Sequence, residues 1–95
     1  MKILLMRVTL RASWVHSLKE KRMVIKSLMQ RLKNKFNISV GEVDEQDIHQ
    51  TLVIGITGAC GSSAQVDSTI ESIISFIEEN TDAEIIKVET EEDIF

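Results

Sequence analysis

The sequence predicts an α+β domain, and three observations carry that prediction. Apolar residues alternate with others in four stretches, near 2–11, 38–43, 48–59 and 84–91. They recur at helical spacing in two more, from Leu18 to Phe36 and from Ser62 to about Asn80. A capping signature, Ser followed three positions on by Glu or Gln, heads both helical stretches.

Each element follows in order. In the first strand Leu4, Met6, Val8 and Leu10 share one face, while Ile3, Leu5, Arg7, Thr9 and Arg11 share the other. Ser17 caps the next helix, and Glu20 is placed to reach back to the Ser17 amide. Leu18, Val24, Ile25, Leu28, Met29, Leu32 and Phe36 then form one stripe that should pack on a sheet. Burying each contributes about 1.5 to 3 kcal/mol before entropy is subtracted. Ile38, Val40 and Val43 indicate a second strand, with a bulge where the spacing changes at Gly41 and Glu42. DEQD, 44–47, reads as a polar turn into a third strand, where Leu52, Ile54 and Ile56 alternate with Thr51, Val53, Gly55 and Thr57. GACGSS, 58–63, is a loop, and Ser62 with Gln65 opens a second helix with Val66, Ile70, Ile73, Ile74 and Ile77 inward. Asn80, Thr81 and Asp82 end it. The last strand, 84–91, should turn Ile86 and Val88 inward, and the acidic EEDIF end is expected to be loose.

The order β-α-β-β-α-β is the split βαβ pattern of a ferredoxin-like sandwich, one four-stranded antiparallel sheet with two helices on one face. Right-handed crossovers place the first and third strands at its centre. The uncovered face then carries Arg7, Thr9, Arg11, Thr51, Val53 and Lys87.

Ninety-five residues, 43% of them apolar, suit one domain over 1–95 with no second domain. No stretch approaches the ~18 unbroken apolar residues of a membrane span, and MKILLMRVTL is broken by Arg7 and followed by Arg11 without a cleavage site. A cytoplasmic location is expected. The one cysteine, Cys60, has no partner for a disulfide or a CxxC site and reads as a plain thiol. The net charge of −4 conceals an asymmetry. Residues 1–36 hold ten Lys or Arg against one acid, a net of +9, and residues 37–95 hold one Lys against fourteen acids, a net of −13.

HSLKEKR at 16–22, LKNKFNISVGEV at 32–43 and QDIHQ at 46–50 resemble the bacterial YlxP-like family, a domain of unknown function. The resemblance runs over most of the chain and implies a ferredoxin-like fold. It also implies a link to translation, because genes of that family often neighbour those for initiation and ribosome-maturation factors. RNA or ribosome association is expected on that basis. The family pattern carries Trp where His49 stands here, and it supplies no catalytic residues to carry over.

The residues themselves offer several candidate sites. Lys19, Arg22, Lys26 and Lys33 fall on one flank of the first helix, a ridge that could contact successive phosphates. Asp67, Glu71 and Glu78 share a flank of the second helix and could instead neutralise that ridge. His16, Lys19, Lys21 and Arg22 could converge with the free helix amides on one phosphate. Cations there oppose the helix dipole, and a broken local rule points to a working site. Arg7 and Arg11 project from the open sheet face, where RNA-recognition folds carry stacking rings, but no ring stands there in this chain. Trp14, in the loop before HSLKEKR, could stack a base or anchor into the core or a partner.

Enzyme chemistry finds little support. The third strand lacks the Asn of an acylphosphatase, and GACGSS lacks the Lys of a P-loop. His16 and His49 are the only histidines, so no His-based metal cluster is expected, and no cofactor is implied. Ile3, Leu5, Val43, Val53 and Ile85 could form an apolar patch on the open face and favour a homodimer. The expectation is a non-catalytic module that associates with RNA or a ribosomal particle through the basic flank of its first helix. The alternative is a homo-oligomeric assembly module with no nucleic-acid role.

Overall fold

The alternating first stretch folds as strand β1, Lys2–Arg11, with Leu4, Met6, Val8 and Leu10 buried, in a computed structural model that describes residues 1–45 and 48–95. Helix α1, Leu18–Lys35, and helix α2, Ser63–Asn80, are capped as expected by Ser17 and Ser62. The Ser17 hydroxyl accepts from the Glu20 amide at 3.1 Å, and that of Ser62 from the Gln65 amide at 3.2 Å. Strands β2, Ser39–Asp44, β3, Thr51–Cys60, and β4, Glu84–Ile94, complete the β-α-β-β-α-β order.

The four strands form one antiparallel sheet in the order β2-β3-β1-β4, so β1 and β3 are central, as right-handed crossovers require. Leu52, Ile54 and Ile56 of β3 join the inward residues of β1 under Ile25, Leu28 and Leu32 of α1 and Val66, Ile73 and Ile77 of α2. The architecture is therefore the ferredoxin-like α+β sandwich. Where the helices meet, the rings of Phe36 and Phe76 stand edge to face at 5.6 Å. Among the described residues no helix is long and apolar enough to cross a membrane.

Four local expectations need correction. The bulge of β2 lies at Val43, between Glu42 and Asp44, one residue beyond the change of spacing. It folds Val43 over Gly55, where an added Cβ would sit 2.7 Å from Val43 Cγ1. A second bulge, between Thr9 and Leu10, shifts the phase of β4 so that Leu10 pairs with Ile85 and Thr9 with Lys87. Ile85 consequently takes the inward place predicted for Ile86 and leaves the uncovered face, while Ile86 is 54% exposed.

The EEDIF end is paired and not loose. Glu92 lies opposite Leu4 and Ile94 opposite Lys2, because β1 begins at Lys2 and its outer edge needs backbone partners. Glu92 also meets the Lys2 ammonium at 3.5 Å and accepts from the Ser63 hydroxyl at 2.8 Å. The third strand begins at Thr51, later than its apolar pattern suggested, and the DEQD turn at 44–47 lies partly outside the described residues.

Candidate nucleic-acid interface

The cap at Ser17 sets the phase of α1, and that phase separates its cations. Ile25, Leu28 and Leu32 face the sheet, and Lys21 lies on the same stripe, one turn before Ile25. At 100° per residue Lys19, Arg22, Lys26 and Lys33 fall within an arc of about 60° on an adjoining flank. All four are exposed. Among the described residues none has a carboxylate within the 4.0 Å of an ion pair.

The acids of α2 are on the wrong side to neutralise this ridge. Arg31 and Lys35 mark the flank of α1 that faces α2, roughly opposite the ridge around the helix axis. Arg31 donates to the Asn80 carbonyl at 3.3 Å, and Lys35 lines a groove with Glu71, Phe76 and Glu79. Arg31 thus supplies the cation that the last turn of α2 lacks. Asp67, Glu71 and Glu78 are exposed and make no ion pair with the ridge among the described residues.

Lys21 does not belong to an anion-binding surface. Its side chain is 1% exposed, and its ammonium meets Glu42 Oε2 at 3.1 Å. It also donates to the Ile48 carbonyl at 2.7 Å and to the Glu45 carbonyl. Its position on the apolar stripe explains this, since a long side chain there must carry its charge inward to polar partners. Lys21 therefore fastens the chain between β2 and β3 to α1, including Glu45, whose φ of 53° places a non-glycine residue in the left-handed region. A phosphate pocket built from His16, Lys19, Lys21 and Arg22 loses its central cation. His16 is exposed, and its ring has no hydrogen-bond partner among the described residues.

Arg7 also leaves the candidate set. It projects from the open face as expected, but Glu89 on the neighbouring strand lies directly opposite and binds it through two bonds of 2.9 and 2.8 Å. That hydrogen bonding and its charge hold the Glu89 carboxyl below the usual carboxylate range and raise the Arg7 guanidinium. Arg11 is exposed and has no ion pair among the described residues. Beside Arg7 the open face forms a shallow trough of about 800 Å³ floored by Gly41 and Gly55 and flanked by Leu5, Val43 and Thr57.

Two loops meet at the start of α1. Gln50 donates to the Ser13 and Val15 carbonyls, both at 3.2 Å, and its own carbonyl accepts from the Ala12 amide at 2.9 Å. Ala12 and Val15 are buried, and Trp14 between them is 42% exposed. The sequence reading missed this Gln50 brace, for which no local pattern exists. It missed the role of Lys21 too, although a lysine in phase with an apolar stripe was a usable signal. Among the described residues no group of three or more His, Cys, Asp or Glu is placed to hold a metal.

Fold and surface together define a ferredoxin-like α+β domain with a one-sided cationic helix. The chain belongs to the family described as "Protein of unknown function (DUF503)", whose model matches residues 3–90. It is similar to "Uncharacterized protein YlxP" of Bacillus subtilis (strain 168), with 39% identity over 62 residues, 65% of this chain and 67% of that protein.

Proposed function

We propose that the chain is a non-catalytic, cytoplasmic binding module that associates with RNA or a ribosomal particle through the outer flank of α1. One observation carries the reading: Lys19, Arg22, Lys26 and Lys33 point away from α2 and have no carboxylate partner among the described residues. Such a ridge is unfavourable for the helix itself. Arg22 and Lys26 are like charges four residues apart, and Lys19 and Arg22 oppose the dipole at the helix start. A polyanion that neutralises them offsets that cost. Base-specific readout on the sheet is not part of the reading, because the open face carries no aromatic ring.

A salt titration of binding to a structured RNA tests this. Four phosphate contacts give an affinity that falls roughly 50- to 150-fold between 50 and 200 mM salt. Lys26→Glu combined with Lys33→Glu should abolish binding and leave the circular dichroism spectrum unchanged. No binding at low salt would overturn the reading, and so would binding that the double variant retains. An acyl-phosphate or phosphatase assay should return only background.

A second reading, homodimerisation through the open sheet face, is supported by the trough beside Leu5 and by Val43, which is 53% exposed at its rim. Light scattering across a concentration series should give a dimer that Val43→Asp dissociates. A monomer at all concentrations removes this reading.

A further inference from the structure

Trp14 is held outward at the end of the molecule where the cationic ridge begins. Ser17, the cap, is three positions along the chain, so the Trp14 Cα lies within about 11 Å of it whatever path the loop takes. The loop is braced on both sides of the ring by the two hydrogen bonds from Gln50 and anchored by the buried Ala12 and Val15. The neighbouring turn is fixed from the other side, since Lys21 holds the Ile48 carbonyl. His49 stands between Ile48 and Gln50 and is exposed. A large ring left half in water on so restrained a loop loses little conformational freedom when a second flat surface covers it.

We infer that Trp14 is a stacking platform for an unpaired base of an RNA strand whose phosphates run along Lys19, Arg22, Lys26 and Lys33. This rests on the RNA reading above and sharpens it, naming a single-stranded or looped segment as the ligand at this end. Charge complementarity favours nucleic acid over an apolar partner, because Arg11 and Lys19, the cations nearest the ring in sequence, and Arg22 beyond them are exposed and have no carboxylate partner among the described residues. Stacking on an aromatic ring tolerates any base, so it adds affinity without sequence readout.

The chain contains one tryptophan, so its fluorescence reports this ring alone. The probes are a single-stranded oligonucleotide, a hairpin with an open loop and a fully paired duplex of equal charge. The oligonucleotide and the hairpin should quench Trp14, and the duplex should bind through the ridge without quenching it. Trp14→Ala should weaken oligonucleotide binding roughly 5- to 100-fold and leave the salt slope unchanged, with partial recovery in Trp14→Phe. Salt-dependent binding with unmoved fluorescence, or with Trp14→Ala behaving as wild type, overturns the stacking platform and spares the ridge. Absence of binding by all three probes at low salt overturns both.

Discussion

Lys26 on α1 and Arg7 on β1 are both exposed cations of the basic third of the chain, and their surroundings differ completely. Arg7 has Glu89 opposite it on the next strand and donates from its Nε and Nη2 to both oxygens of that carboxylate. Lys26 sits on a helix flank that turns away from the acidic second helix. A sheet brings distant segments of opposite charge into register, whereas an outward helix flank meets only its own neighbours. Positive charge is thus quenched at Arg7 on the sheet and left in place at Lys26 on the outer helix flank, although the sequence lists both alike.

Lys21 gives the sharpest test of that contrast, because it lies on α1 yet behaves as a matched charge. Lys21→Ala removes the buried ammonium that meets Glu42 and two backbone carbonyls and should cost about 1.5 to 3 kcal/mol in urea unfolding. A loss below about 1 kcal/mol would mean that water already satisfies these groups. Ser17→Ala removes the hydroxyl that caps the Glu20 amide at the crowded helix start and should cost about 1 kcal/mol, read as a lowered midpoint. Lys26→Glu should go the other way. It replaces a repulsion with Arg22 by an attraction and should stabilise the domain by about 0.5 kcal/mol while weakening RNA binding. A destabilised variant would show that Lys26 has a structural partner and would break the comparison.

The smallest effect belongs to the Arg7 pair, which lies in solvent. The carboxyl of Glu89 is lowered in the folded state, so its contribution is present above the unfolded value and is lost as pH falls through the folded one. Arg7→Met should therefore differ slightly from wild type at neutral pH and coincide with it in acid. A difference that persists in strong acid would assign Arg7 some role besides the ion pair.

Strand and helix order was legible because both periods are clean: Leu4, Met6, Val8 and Leu10 alternate, and Ile25, Leu28 and Leu32 recur by turns. What failed were phases set across strands. The bulge opposite Thr9 and Leu10 exchanges Ile85 for Ile86, and nothing within residues 84–91 signals it. Composition suggested a loose acidic end at 91–95, but β1 needed that backbone as a partner. In the candidate site, helical spacing alone found the ridge, since its members share one element. The Arg7–Glu89 pair and the Gln50 brace join segments far apart in sequence, and only the folded chain reveals them.

The most direct test compares salt slopes across single substitutions. Each of Lys19→Ala, Arg22→Ala, Lys26→Ala and Lys33→Ala should lower the slope of log affinity against log salt by about 0.7 to 0.9, the share of one phosphate. Arg7→Ala should leave it unchanged. Equal slopes in all five variants, or a drop only with Arg7→Ala, would contradict an unquenched charge on the outer flank of α1.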